Sequence, residues 1–473
     1  MKSDDQEFAA PQKSMAVSIK TFGCQMNMYD SEVAGGLLQH QGYKILQEDF
    51  TKDRQDDTGV PTADIVLMNT CSVREHAEER VYGRMGMLGK AKEKNPDLII
   101  GLMGCMVEEH KDKLFKRFPQ LDLMVGTRNV ADLPRLIEEV RRTRRQVAQI
   151  KQEGISIEYT DQIRREGRFH AWLPIMTGCN KVCTFCIVPI TRGSEVSMPA
   201  RDVYREASRL VQEGVQWLTL LGQNVNSYNG ISPVDRAQTA EKGLAARNVS
   251  FPELLESLCQ IDGLKALSFT TSHPHDATPE LYEVIERNPK ISRRFHLPLQ
   301  SGSDRMLKRM KRLHSFAEYR EKIKAMREMI PDVSITTDII AGFSGETEAD
   351  HEATKQALEE LRFDGAYIYK YSVRPGTPAS KLADDVPLDV KEKRNQELLT
   401  LQKAIEAENR QAWLGREVEV FAESPSTKDP GKLVGRTIHE MKVVFEAAPS
   451  RIGSFVKVRL DKLTHETFTG TVS

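Results

Sequence analysis

The 473-residue sequence predicts a three-part α/β protein. We expect an N-terminal parallel α/β domain of Rossmann-like layout over 15–150, an open (β/α)6 partial TIM barrel over 165–405, and a small antiparallel β-barrel over 409–473. Three observations carry this expectation. Apolar strand-length runs alternate with helical stretches of ten or more residues, the pattern of a parallel sheet. The runs lack polar alternation, as expected where helices cover both faces. The last sixty or so residues change texture, with short β-like runs separated by Gly and Pro.

After a polar tail of about fourteen residues, MAVSIKTFGC reads as a strand entering a loop, and a helix follows over 31–40. ADIVLMNTC, a long helix over 75–94 and DLIIGLMGC repeat the unit. A helix through EEHKDKLFKRF, the short strand DLMVGT and a helix over 131–142 close the segment. The Arg- and Glu-rich stretch 141–168 reads as a linker or docking segment. From residue 169 a second series offers six strands: AWLPIMTGC, WLTLLGQNV, ALSFTTS, FHLPLQSG, VSITTDIIAGF and GAYIYKYSV. Helices fall between them, among them 201–213, 280–287, 316–329 and 346–361. Six units fall short of the eight that close a full barrel, and an open side admits a large substrate. The polar run 229–250 is a loop or excursion. A charged helix over 388–413 leads to five short strands: EVEVFAES, KLVGRTI, MKVVFEA, SFVKVRLDKLT and ETFTGTV.

The net charge of −1 excludes attachment to nucleic acid by bulk charge, though not by a local basic surface. Seven cysteines, an odd number, exclude a fully paired disulfide framework. The acidic, polar start has no apolar core behind a basic flank, and the longest apolar run, near 98–107, is too short to cross a bilayer. A cytoplasmic protein with no membrane partner is expected, its thiols reduced. Such cysteines are buried, catalytic or metal-bound.

Cys179, Cys183 and Cys186 form Cys-x3-Cys-x2-Cys in TGCNKVCTFC. Short spacings on one loop let three thiolates converge on one small metal core. Iron–sulfur clusters are normally held by four thiolates, so three leave one iron open to a small molecule. Zinc would want four closed ligands, and this loop offers no fourth Cys or His. Cys24, Cys71 and Cys105 are far apart, but each ends an apolar strand: KTFGC, LMNTC and LMGC. In a parallel sheet those ends share one edge, where ligands collect. They form either one three-thiolate site or three separate buried thiols. Cys259, in LLESLCQI, reads as a core residue.

With Phe185 before its last Cys, the 179–186 loop resembles the radical S-adenosylmethionine (SAM) enzymes. TFGCQMN, NTCSVREHAEERVYGRM, LMGCMVEE, MTGCNKVCTFCIVPITRG, LLGQNVNSY, HLPLQSGSDRMLKRMKR and DIIAGFSGETEADH together resemble the radical SAM methylthiotransferases, in order over nearly the whole chain. QMN after Cys24 resembles the branch acting on isopentenylated adenosine in tRNA; the ribosomal-protein branch tends to read PKN there and the threonylcarbamoyl-adenosine branch KVN. The resemblance implies two 4Fe–4S clusters, one at Cys179, Cys183 and Cys186 with SAM on its open iron, and an auxiliary one at Cys24, Cys71 and Cys105. It implies that the C-terminal barrel is an RNA-binding TRAM domain. The implied reaction installs a methylthio group at carbon 2 of the adenine at tRNA position 37, one SAM methylating a sulfur and a second yielding the radical that abstracts hydrogen. Carbon 2 is neither acidic nor strongly electrophilic, so radical cofactors suit the step.

SAM needs polar groups at the C-terminal rim of the barrel. Candidates are Gln223, Asn224, Ser272, His273, Gln300, Ser301, Gly342, Glu346, Tyr371 and Arg374, of which Gln300 lies in the segment resembling the family's SAM contact. Each of them alternatively serves as a turn or capping residue, and Gly302 and Gly342 would permit close backbone approach. His273, His275 and His296 read as hydrogen-bonded rim residues rather than ligands. The run 305–327 carries nine Lys or Arg against two Glu, either an RNA surface or a solvated helix face. Lys432, Arg436, Lys442, Lys457 and Arg459 are candidate phosphate contacts for an unpaired anticodon loop of tRNA. The reaction also needs an electron donor, such as flavodoxin or ferredoxin, and a sulfur source. The alternatives are methylthiolation of threonylcarbamoyl-adenosine tRNA or of a ribosomal-protein aspartate and, in a different class, a non-catalytic RNA-binding protein with structural metal.

Overall fold

A computed structural model describes residues 14–46, 62–72, 75–150, 159, 162–165, 167–231 and 248–473, and only the backbone of 75–77 and 231. The N-terminal tail and residues 232–247 of the polar run lie outside the described residues, as does most of 151–166. The chain forms two units: residues 1–166 with Ile190–Arg192, and residues 167–189 with 193–473.

In the first unit six strands form one parallel sheet. Its order is Lys44–Leu46, Ala16–Phe22, Ile65–Thr70, Ile99–Gly104, Leu123–Val125, Val147–Gln149. Both faces are covered. Val66 and Met68 pack with Val81, Met85 and Leu88 of helix Glu75–Lys94. Ile65 and Leu67 pack on the other side with Ala34 and Leu38 of helix Gln25–His40 and Leu136, Ile137 and Val140 of helix Leu133–Thr143. This two-sided burial is why the strands read as unbroken apolar runs.

In this unit the structure differs from the sequence expectation in several places, the helix expected over 31–40 starting already at Gln25. The edge strands Lys44–Leu46 and Val147–Gln149 were not expected, because three-residue strands carry too little pattern. The latter lies within the stretch read as a linker, where the backbone N–H of Arg164 also donates to the Glu32 carbonyl. A Cβ on Gly36 would lie 1.5 Å from the Gln162 carbonyl oxygen, so only glycine admits this crossing. The helix expected through EEHKDKLFKRF is two, Cys105–His110 and Lys113–Arg117, separated at Lys111 with φ +47°.

The second unit carries six parallel strands in two ladders. His170–Pro174, Trp217–Leu221 and Ala266–Phe269 form one; Arg294–His296, Ser334–Ala341 and Gly365–Lys370 form the other. A parallel bridge from Leu267 to Ile291 joins them. Among the described residues the first and sixth strands do not pair, so the barrel is open there. Helices Ala200–Gln212, Pro279–Arg287, Phe316–Met329 and Glu348–Leu361 lie close to the expected spans. The last two begin with capping boxes at Ser315/Glu318 and Thr347/Asp350.

Past helix Leu388–Gln411 a five-stranded barrel closes on itself. Four of its pairings are antiparallel, and Lys442–Glu446 runs parallel to Thr467–Val472. It docks at the N-terminal ends of the (β/α)6 strands. Phe421 packs on Trp217 at 5.9 Å between ring centroids, both fully buried, and two such side chains contribute about 1.5–3 kcal/mol each. The Arg293 backbone N–H donates to the Ile438 carbonyl at 3.0 Å, and Lys265 Nζ to that of Gly453 at 3.0 Å.

Candidate metal centres

In the first unit the ladder register aligns Phe22 with Thr70 and Thr70 with Gly104. Three strands therefore end level, and Cys24, Cys71 and Cys105 follow within one or two residues. The structure brings the three thiols together: Cys24 and Cys71 hydrogen-bond, and Cys105 feels the charge of Cys24. Gly104 is required for this. It has φ +96°, and a Cβ there would stand 2.3 Å from Asn69 Oδ1.

Residues the sequence did not flag hold the thiols. Asn27 Oδ1 accepts from both the backbone N–H and Sγ of Cys24 at 3.3 Å, and its Nδ2 donates to Asn69 Oδ1 at 2.9 Å. Asn69 in turn donates to the Asn27 carbonyl at 2.8 Å and Ser31 Oγ at 3.0 Å. The Asn of QMN thus braces Cys24, and the Asn of NTC holds that Asn in one buried network. Arg192 donates to Asp30 at 2.6 Å, both buried, and hydrogen-bonds Cys105. Burial opposes its charge, but Asp30, Cys105 and Cys24 outweigh burial and hold the guanidinium protonated. The Cys71 hydrogen bond, and then Arg192, bring Cys24 down to about 6 against the effect of burial.

In the second unit Cys179, Cys183 and Cys186 follow the strand pieces His170–Pro174 and Met176–Thr177. Gly178, at φ +75°, starts the loop where a Cβ would meet the Ser194 carbonyl at 2.0 Å, and its N–H donates to Gln223 Oε1. Cys179 and Cys183 both act on Cys186, and burial is the main force pushing that thiol up to about 12. Arg312 Nη1 lies 3.3 Å from Cys183 Sγ and His273 Nε2 3.9 Å. Arg312 was counted in the basic run, and no spacing linked it to a cysteine 129 positions away.

Other rim candidates divide. Asn224 Nδ2 donates to Asp276 at 2.7 Å, and Asp276 also binds Lys181 of the cysteine loop at 2.8 Å. Gln300 is buried in a left-handed conformation, φ +79°, costly for a residue with a Cβ and typical of functional positions. Glu346 is engaged by the Gly342 N–H at 2.9 Å and Arg394 at 3.0 Å. Ser301 Oγ faces Thr354 at 3.2 Å, and Gly302 gives close approach to the Ala353 carbonyl. Ser272 and Tyr371 are buried. His296 bonds Thr336 at 3.0 Å, and His275 bonds Asp276 at 2.8 Å. Cys259 is 5% exposed among Leu254, Leu255 and Leu258.

The basic run is largely spent on structure. Arg305 pairs with Asp350, Arg309 donates to the Ser344 carbonyl, and Arg327 to that of Leu361; Lys308 and Lys311 are exposed. In the terminal barrel Arg436 stacks over Trp217 at 4.8 Å and pairs with Glu423, while Arg459 pairs with Asp461. Lys442 and Lys457 are exposed and Lys432 half-buried.

Each triad offers three thiols, one short of the four ligands that close a structural zinc site. Three thiolates suit a multi-iron core with one position left open. Among the described residues, a separate group whose ligand atoms all fall within 4.8 Å is Glu78, Glu109 and His110. No helix of the described residues is long and apolar enough to cross a membrane.

Comparison with known proteins agrees with the geometry. Residues 16–126 match the family described as uncharacterized protein family UPF0004, 173–358 the radical SAM superfamily, and 411–472 the TRAM domain. In structure the chain is similar to a radical S-adenosylmethionine methyltransferase, TsrM, from Kitasatospora setae, solved with cobalamin and a 4Fe–4S cluster. The TM-score is 0.51 at 13% identity over 77% of each chain, a likeness of fold. In sequence it is 40% identical to a tRNA-2-methylthio-N(6)-dimethylallyladenosine synthase of Dictyoglomus thermophilum, over 93% of this chain and 95% of that protein. It is 41% identical to one of Carboxydothermus hydrogenoformans, over 94% and 97%. With all three modules in order and both cysteine triads in place, this chain belongs to the radical SAM tRNA-2-methylthio-N(6)-dimethylallyladenosine synthase family.

Proposed function

We propose that the protein transfers a methylthio group to carbon 2 of isopentenylated adenosine beside the tRNA anticodon. The observation that carries this reading is the identity of about 40% over more than nine-tenths of both chains with synthases named for that product. Cys179, Cys183 and Cys186 would hold one 4Fe–4S cluster, and Cys24, Cys71 and Cys105 the auxiliary one. When bound, these groups supply the electron that cleaves one SAM and the sulfur that a second SAM methylates.

The chain's own residues hold and orient. Asn27 holds Cys24, Asn69 holds Asn27, and Arg192 binds Cys105. Gln223 anchors the start of the cysteine loop at Gly178, and Asp276 ties Lys181 of that loop to Asn224. For SAM we assign the rim formed by Gln223, Asn224, Gln300, Ser301, Gly342 and Glu346, with Gln300 the most direct contact because of its strained backbone. Glu346 acts there through Gly342, whose N–H it accepts. RNA contact is assigned to the TRAM barrel, at Lys442 and Lys457. The three domains are assigned as 15–150, 165–405 and 409–473. The electron donor is taken to be a flavodoxin or ferredoxin and the location the cytoplasm, with a separate source restoring the transferred sulfur.

The test is anaerobic reconstitution of the purified chain with SAM, a reductant and three substrates: isopentenylated anticodon stem-loop, its threonylcarbamoyl counterpart, and a ribosomal-protein peptide with an exposed aspartate. Methylthiolation of the first alone is expected. Modification of either other substrate in its place would replace the branch assignment, and zinc without SAM cleavage would replace the enzyme reading.

A further inference from the structure

Each thiol triad has one buried arginine against it, and the two arginines are balanced differently. Arg192 has its own counter-ion, Asp30, at 2.6 Å, so its charge is answered within the protein. Arg312 is 8% exposed and donates to Cys183 Sγ at 3.3 Å and to the Pro298 carbonyl at 2.7 Å. Its Nε is buried without a partner. Among the described residues no carboxylate pairs with it.

The groups around it do not answer the charge. The His273 and His314 rings, 6.1 Å apart, carry no negative charge in either protonation state. Both ring nitrogens of His314 are buried without partners. A guanidinium cannot shed its proton in a protein, and a buried unpaired charge costs several kcal/mol. The fold therefore maintains one positive charge beside Cys183 that only an anion at the triad can answer.

We propose that Arg312 is a positioning residue that serves as the built-in counter-charge of the cluster at Cys179, Cys183 and Cys186, orienting Cys183 and raising the reduction potential of the bound cluster. The inference rests on the reading that this triad holds a cluster. Reduction adds one electron to the cluster, and a cation beside a ligating sulfur favours that more negative form in a site shielded from water. Hydrogen bonds and net charge at the sulfurs are among the levers that set cluster potentials.

The experiment uses the full-length chain with Cys24, Cys71 and Cys105 changed to Ala, so that one cluster remains. Iron and sulfide are counted, and the midpoint potential is followed by electron paramagnetic resonance in an anaerobic redox titration. Arg312→Gln should shift the midpoint to more negative potential, and Arg312→Lys should restore most of the shift. Loss of iron in Arg312→Gln with retention in Arg312→Lys would equally support a requirement for charge. An unchanged midpoint in Arg312→Gln at full iron content, or loss of iron from both variants while each stays folded, would overturn the proposal. Absence of iron from the parent chain would instead defeat the underlying cluster reading.

Discussion

Arg192 is bound to Asp30 at 2.6 Å, and the same guanidinium hydrogen-bonds Cys105. Both charged side chains are almost wholly out of water, at 4% and 8% exposure. Removing one partner of such a pair strands the other, at a cost of about 3–5 kcal/mol. Asp30→Asn should therefore lower the urea midpoint of the full chain and reduce the iron content by about half from roughly eight per chain. Asp30→Glu, which keeps the charge, should lose less.

Cys24 provides a pH readout in protein stripped of metal. The Cys71 hydrogen bond and Arg192 bring its thiol from 9.0 to about 6, while burial pushes Cys259 to about 11. A depressed folded-state pKa contributes stability above the unfolded value of 9.0 and loses it as pH falls through about 6. Iodoacetamide labelling of the cluster-free chain, read by mass spectrometry, should show Cys24 reactivity rising with a midpoint near 6. A midpoint near that of an ordinary thiol would show that the Cys71 contact is not made.

The two cysteine sets should separate two steps. Cys183→Ala is expected to abolish reductive cleavage of SAM. Cys71→Ala should retain some cleavage, read as 5′-deoxyadenosine, with no methylthio product. Equal loss of cleavage in two folded variants would contradict this division of labour.

Docking of the terminal barrel rests on Trp217, which is fully buried, donates to Ser268 and stacks against Phe421 and Arg436. Trp217→Ala should cost about 3–5 kcal/mol, measured by urea unfolding. Proteolysis near residue 411 should become faster, because the barrel loses its seat. Unchanged stability and unchanged proteolysis would show that the polar contacts of Arg293 and Lys265 suffice.

Much of this was legible because the signals were local or periodic. The cysteine spacing at 179–186 needs one loop, and the strand-end positions of Cys24, Cys71 and Cys105 follow from apolar runs in a parallel sheet. The five terminal strands were visible through their turns. The charged partners were not legible. Arg312 and Cys183 are 129 positions apart, and Arg192 and Asp30 are 162 apart. No local pattern encodes such pairs, and Arg312 was instead grouped with basic neighbours that mostly serve packing. Glu346 likewise has a partner that its local position did not reveal: its carboxylate accepts from Arg394 as well as from the Gly342 N–H. The two edge strands and the break at Lys111 depend on neighbours and backbone torsion rather than composition.

The most direct test of the central claim is the mass of the modified nucleoside in bulk tRNA from a strain lacking this protein and from the same strain carrying it. The account predicts that 2-methylthio-isopentenyladenosine disappears on deletion, leaving isopentenyladenosine lighter by one CH2S unit, and returns with the intact chain but not with Cys183→Ala. Unchanged 2-methylthio-isopentenyladenosine after deletion would contradict it.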